Sequence, residues 1–290
     1  MMVITELENK MFNRSQLLLG KSSIERIANA RVIVFGVGGV GSWCAESLIR
    51  SGIRKLTLVD PDLVCITNSN RQMPATSMTI GQAKVSVVRE RLLRINPHAM
   101  IDARQEAFTK ASAATFHLAD YDYVIDAIDS LQDKANLILE TTAIERVTLF
   151  SSMGAARRLD PLQVRESEFW KIEGDALARA LRHRFKRMEQ YPTRKFRCVY
   201  SEELPMANQG EPLRCGIDCR LCSKGQDSSM QETRPTEEAL TTQGPITNGS
   251  MSFVTGTFGF ALASMVIRDI QVNHKFKVGS NNSHIRKDND

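Results

Sequence analysis

The pattern that most narrows what this chain can fold into lies between Val32 and Asp60. A β-branched run, 32–35, leads into Gly36-Val-Gly38-Gly39-Val-Gly41, then into apolar residues at helical spacing (Ala45, Leu48, Ile49), then into a second apolar run, 56–59, that ends on Asp60. This is the strand–turn–helix–strand–acid order of a dinucleotide-binding unit, with the acid about twenty residues beyond the turn. Gly36 serves the tight turn, Gly38 lets backbone approach a ligand, and Gly41 lets the helix pack on the strand. The helix N-terminus offers unpaired N–H groups to a phosphate. Asp60 can accept hydrogen bonds from a ribose. A nucleotide binds here; the pattern does not say which.

The chain has 290 residues, of which 42% are hydrophobic and 24% charged, the make-up of a globular protein with a large core. Residues 1–10 carry Glu6, Glu8 and Lys10 and lack the apolar segment of a signal peptide, which predicts a cytoplasmic location and reduced cysteines. Residues 249–267 hold no charge and reach membrane-spanning length. Ser250, Ser252, Thr255, Thr257 and Ser264 lower their hydrophobicity, so the expectation is a helix packed in an α/β core, with membrane association as the alternative.

Strand patterns at 32–35, 56–59, 100–103, 123–128 and 147–151 alternate with helical patterns at 84–95, 111–118 and 131–144, and a helix over 11–19 precedes them. The alternation predicts an α/β fold, a Rossmann-like, mostly parallel sheet with crossover helices. After Gly154 it stops. A basic helix follows over 175–190, then a long loop over 201–247 rich in Gly, Pro, Ser and Cys, an apolar stretch over 249–269, and a polar, frayed tail from 273. The division expected is a nucleotide-binding region at 10–155, a substrate-facing region at 156–270 that contains the loop, and a tail at 271–290.

The common occupant of a G-x-G-x-x-G turn is a nicotinamide or flavin cofactor, which would make the chain an oxidoreductase. Several residues point elsewhere. Arg14 lies on the first helix, Asn70-Arg71-Gln72 follows Asp60, Lys84 opens a helix, and Asp126 and Asp129 close the strand near 123. Three cations and a carboxylate suit a triphosphate with Mg²⁺ better than a pyrophosphate. The chain has no Walker A motif.

The ordered set Asn13-Arg14, Gly36–Gly41, Asp60, Asn70-Arg71-Gln72, Gly81-Gln-Ala-Lys84, Asn96-Pro97 and Asp126-Ala-Ile-Asp129 resembles the adenylation domain of the ubiquitin-activating, E1-like superfamily, over roughly residues 10–155. The resemblance implies ATP as cosubstrate, with Gly36, Gly38, Gly39 and Gly41 cradling phosphates and Asp60 binding ribose. It implies Asn70, Gln72 and Asp126 as further nucleotide contacts, Arg71 and Lys84 on the phosphates, and Asp129 on Mg²⁺. It also implies a homodimer, because Arg14 in this superfamily reaches into the other protomer's site, and an extension of the sheet toward the C-terminus. The chemistry is of ligase type: a carboxylate attacks the α-phosphorus, and positioning with charge neutralisation does most of the work.

The later half bears on which carboxylate is activated. Met153-Gly154-Ala-Ala-Arg157, Asp160-Pro161, the helix from Asp175 to Arg187 and the Thr255–Phe260 stretch resemble the tRNA threonylcarbamoyladenosine dehydratase branch of the superfamily. That branch activates the threonyl carboxylate of the modified nucleoside and closes it to a cyclic form with net loss of water. Arg179, Arg182, Arg184, Lys186 and Arg187 make a cation cluster suited to tRNA phosphates; a solvated basic helix is the plain alternative. The rival function is activation of a ubiquitin-like sulfur-carrier protein.

Cys215-Gly-Ile-Asp-Cys219-Arg-Leu-Cys222, with Cys198 as a fourth thiolate, would suit structural Zn²⁺. The sulfur-carrier activators use two separated C-x-x-C pairs, and only Cys219 and Cys222 form one here. A nucleophilic thiol between Arg214 and Arg220, and incidental thiols, stay open as readings. A cysteine desulfurase or sulfur acceptor system is a further partner expected from the resemblance. Cys44 and Cys65 read as packing residues.

Overall fold

A computed structural model of the chain describes residues 5–210 and 248–281. Three helices come first: α1 (Glu6–Met11), α2 (Asn13–Leu19) and α3 (Lys21–Asn29). A single helix over 11–19 was the expectation. The chain instead breaks at Phe12 and again at Gly20, whose φ of +81° favours glycine. Then follow β1 (Arg31–Phe35), α4 (Gly41–Arg50), β2 (Lys55–Val59), α5 (Lys84–Ile95), β3 (Met100–Arg104), β4 (Tyr123–Asp126), α6 (Leu131–Thr142) and β5 (Thr148–Ser152). The expected helix at 111–118 is a pair of 3-10 turns, parted by His117 at φ +45°. The chain goes on through β6 (Val164–Glu168), α7 (Ala176–Met188), β7 (Arg197–Ser201) and α8 (Ser252–Asn281).

The strands form one sheet in the order β3-β2-β1-β4-β5-β7-β6. All neighbours are parallel except β6 and β7. Residues alternate sides along β1, as a pleated strand requires. Val32 and Val34 join a core layer with Ile24, Leu48, Val88 and Phe258 from α3, α4, α5 and α8. Ile33 and Phe35 join the opposite layer with Ile138, Leu181 and Phe185 from α6 and α7. The order reverses between β1 and β4, and ligands of open α/β sheets bind at such a point, outside the carboxyl ends of the strands.

Residues Ser252–Val272 are long and apolar enough to cross a membrane by length and composition alone. In the fold this stretch of α8 packs on α4, with Val254, Phe258, Leu262, Met265 and Val266 buried. α8 also runs into the stretch expected to be a frayed tail. The strand expected over 123–128 stops at Asp126, where the chain turns. Most of the 201–247 loop lies outside the described residues.

Candidate nucleotide-binding site

The glycine turn sits between β1 and α4 because no other residue fits its backbone. Gly36 has φ +82°, and a Cβ there would stand 2.6 Å from the Ala127 carbonyl oxygen. A Cβ on Gly41 would overlap the carbonyl oxygen of Gly36. Gly38 is different: a Cβ there would lie 3.5 Å from the Gln72 amide nitrogen, in ordinary contact. Gly38 therefore keeps a surface open rather than making the turn possible. No side chain caps the N-terminus of α4, which leaves its first N–H groups facing the crevice.

Asp60 follows β2 and is 5% exposed. Its Oδ2 accepts the Val37 N–H at 2.8 Å and its Oδ1 accepts the Asp62 N–H at 2.9 Å. Burial pushes its carboxyl up from the ordinary Asp value, against the pull of Lys84 and of these two N–H groups. Lys84, 6% exposed, donates to Asp62 at 2.9 Å and stands 3.9 Å from Asp60. A cation and two carboxylates thus share the wall beyond β2.

Asn70, Arg71 and Gln72 form the side of the crevice. Arg71 donates to Thr67 O at 2.9 Å and to Asn70 Oδ1 at 3.1 Å. Burial lowers its guanidinium from the ordinary value, while Cys65 and Asp129 hold it up, so Arg71 and Asp129 share one electrostatic neighbourhood. Gln72 Oε1 is buried, with no hydrogen-bond partner among the described residues. An orphaned acceptor beside the open face of Gly38 is what an absent ligand leaves behind. The residues fit a bound nucleoside phosphate.

Asp126 and Asp129 divide. Asp126 is fully buried at the end of β4. Its Oδ2 accepts from Lys134 at 2.7 Å and from Ser151 at 2.6 Å, and its Oδ1 accepts the Ile128 N–H at 3.1 Å. With its oxygens engaged below the surface, Asp126 shapes the turn, where a direct nucleotide contact was expected of it. Asp129, three residues on, is exposed on the crevice side of that turn.

The structure also brings in Trp43, which the sequence patterns did not mark, and gives Thr255 a place beside the glycine turn. Trp43 on α4 donates through Nε1 to the Arg71 carbonyl at 3.2 Å, and Thr255 on α8 lies 3.5 Å from the same oxygen. A Cβ on Gly39 would meet Thr255 at 3.4 Å. Asn70 donates through Nδ2 to Ser250 O at 2.8 Å. The last helix therefore backs both the glycine turn and the arginine loop. Only the long-range closeness of α4 and α8 reveals it, and no local motif carries that.

Other expected residues lie apart. Arg14 is exposed on α2, which packs on α1 and α3. α7 starts at the carboxyl edge of the sheet, where Asp175 meets Gly154, and runs about 20 Å toward the opposite edge. Arg179, Lys186 and Arg187 are exposed. Arg182 turns back to donate to Phe169 O at 3.2 Å and Ile172 O at 3.0 Å, and Arg184 is half-buried with its Nε enclosed. Arg182 thus braces the turn before α7, and the solvent-facing cations of the expected phosphate-binding set are Arg179, Lys186 and Arg187. Cys198 sits on β7 at 0% exposure, and burial holds its thiol well above the ordinary value. Cys215, Cys219 and Cys222 lie outside the described residues, and among the described residues no cluster of three or more His, Cys, Asp or Glu forms a metal site.

Three comparisons bear on this arrangement. Residues 12–285 match the model of the ThiF family. The chain is 32% identical over 272 residues to the tRNA threonylcarbamoyladenosine dehydratase of Escherichia coli K12, covering 92% of this chain and 95% of that one. It is 37% identical over 195 residues to the enzyme of the same name from Bacillus subtilis 168, covering 67% and 76%. Crystal structures of the E. coli dehydratase TcdA with AMP and with ATP superpose at TM-scores of 0.78 and 0.77, with 30% and 29% identity, covering 95% of this chain and 100% of each.

Proposed function

This chain belongs to the ThiF family, and on that premise we propose that it is an ATP-dependent tRNA threonylcarbamoyladenosine dehydratase. The observation that carries the reading is the span of the likeness. It runs past the nucleotide crevice through the later half of the chain, over 92% of its length, to an enzyme of that name. A sulfur-carrier activator would need only the first half to match.

In this reading ATP lies along the carboxyl edge. Asp60 holds the ribose, the glycine turn and α4 N-terminus take the phosphates, and Arg71 and Lys84 neutralise their charge. Gln72 supplies its orphaned carbonyl to a donor on the ligand. The exposed Asp129 would hold Mg²⁺, which would add charge neutralisation at the phosphates. An oxygen of the threonyl carboxylate attacks the α-phosphorus of ATP and pyrophosphate leaves, so that the threonyl carbonyl carbon now carries AMP as its leaving group. The carbamoyl group then closes on that carbonyl carbon, and the net loss is one water. Cyclisation needs no protein nucleophile, because both reacting groups belong to the substrate. The enzyme's share is orientation and electrostatics.

We infer further that two copies act together. Leu17 and Leu18 on α2 are 80% and 81% exposed, and Arg14 shares that helix, so a second copy that covers the leucines would receive Arg14. Mixing Arg14→Ala and Asp129→Ala chains, each inactive alone, should restore activity, since one site of the mixed dimer then holds both residues. A mixture as inactive as its components places Arg14 outside the partner's site.

The decisive assay is incubation with ATP, Mg²⁺ and tRNA bearing threonylcarbamoyladenosine, followed by nucleoside mass spectrometry. The expected product is lighter by one water and disappears with Asp129→Ala. An unchanged nucleoside overturns the dehydratase reading.

A further inference from the structure

Arg157 stands in left-handed backbone, φ +62°. Long side chains avoid that region, and residues held there gather at functional sites. The backbone is pinned from both sides. Arg157 N–H donates to the Gly249 carbonyl at 2.8 Å, and its own carbonyl accepts the Met206 N–H at 2.8 Å. Three distant stretches of chain converge to hold one residue in an unfavourable conformation.

Its neighbour shows what a structural arginine in this loop looks like. Arg158 is 3% exposed. Its Nε donates to Gly154 O at 3.0 Å, its Nη2 to Asp175 Oδ2 at 3.0 Å, and its Nη1 to the Glu203 carbonyl. All its nitrogens are used. Arg157 is half-buried, and among the described residues no hydrogen bond or ion pair reaches its guanidinium.

The position gives this cation a purpose. The loop leaves the carboxyl end of β5, one strand beyond the Asp129 turn. Gly249, which holds Arg157, precedes Ser250, which holds Asn70 at 2.8 Å. A nucleotide laid from Asp60 across the glycine turn presents its phosphates toward β4. The molecule that reacts with it must come from the far side, where Arg157 stands.

We propose that Arg157 is a substrate-binding residue whose guanidinium takes an anionic oxygen of the modified nucleotide. Two sources have that chemistry, the threonyl carboxylate and the adjoining tRNA phosphate. The assignment rests on the dehydratase reading. Glycine at 157 relieves the backbone and removes the cation together, which separates the two roles. Arg157→Gly should melt at or above the wild-type temperature and keep its KM for ATP. Its KM for modified tRNA should rise about ten- to a hundredfold, the range of one charge-assisted hydrogen bond, and Arg157→Lys should recover part of the loss. Equal weakening on modified and unmodified tRNA identifies the phosphate. Weakening on modified tRNA alone identifies the carboxylate. An active wild type with unchanged tRNA kinetics in Arg157→Gly overturns the assignment alone. A wild type that cyclises nothing overturns the dehydratase reading and the assignment with it.

Discussion

Two aspartates in one turn do opposite work. Asp126 is dry and paired with Lys134, which is itself fully buried. Removing one partner of such a pair leaves a buried charge uncompensated, at a cost of about 3–5 kcal/mol. Lys134→Ala should therefore lower the denaturation midpoint sharply. Asp129→Ala removes an exposed carboxylate and should leave that midpoint in place while it abolishes Mg²⁺-dependent ATP turnover. A large loss of stability in Asp129→Ala would move that residue from the ligand to the scaffold. The glycines divide in the same way. Gly41→Ala puts a methyl on the Gly36 carbonyl and should keep the chain from folding. Gly38→Ala has room against Gln72 and should fold normally, yet on the proposed reading raise the KM for ATP tenfold or more, because its methyl would compete with the phosphates. Equal stability of the two glycine variants by thermal melt would refute this division.

At the scale of elements, α7 and its surroundings show where sequence patterns carry information and where they stop. Replacing Arg179, Lys186 and Arg187 together by Ala should weaken tRNA binding and flatten its salt dependence by about two to three units of slope. Arg182→Ala should instead cost stability, because it strips donors from the Phe169 and Ile172 carbonyls. Equilibrium binding at several salt concentrations, beside melting curves, tells these apart. The basic pattern of α7 was legible from sequence; which cations face solvent was not, since that depends on what packs against the helix. The parallel strands were legible because buried β-branched runs and a glycine turn are local signals. β6 was not: Val-Arg-Glu-Ser-Glu is a polar edge strand that takes its identity from pairing with β7. Arg194 was equally hidden. It reaches the carbonyls of Thr142, Ile144 and Val147 and closes the turn from α6 into β5, from far along the chain.

Across the whole molecule, the N-terminal helices are tied down by charge. Glu8 is 1% exposed, faces Arg54 Nε at 3.1 Å, and accepts from Thr5 N–H at 3.0 Å and from Asn96 at 3.4 Å. Burial alone would raise its carboxyl; the Thr5 and Asn96 hydrogen bonds and Arg54 outweigh it and bring it below the ordinary value of 4.5. Glu46, held by Arg91 and Arg50, is lowered for the same kind of reason, its own burial again opposing. A depressed carboxylate stabilises the fold at pH above its unfolded value, and the contribution fades as pH falls through the folded one. Urea midpoints should therefore drop as pH goes below about 4.5, and Glu8→Gln should make that acid limb shallower. An acid limb unchanged in Glu8→Gln would assign the loss to other groups.

The final helix has a consequence in time as well as in space. Thr255 backs Gly39, a Cβ on Gly259 would stand 2.5 Å from the Val40 carbonyl oxygen, and Phe260 meets the Trp43 ring at 6.1 Å. All of these partners are made early and wait for residues made late, since a chain emerges from the ribosome N-terminus first. Nascent chains halted at residue 251 should bind no ATP, and release of the remaining residues should switch binding on. On the proposed reading, ATP binding would then report that α8 has been made: a chain halted before it carries the whole glycine turn and lacks the wall behind it.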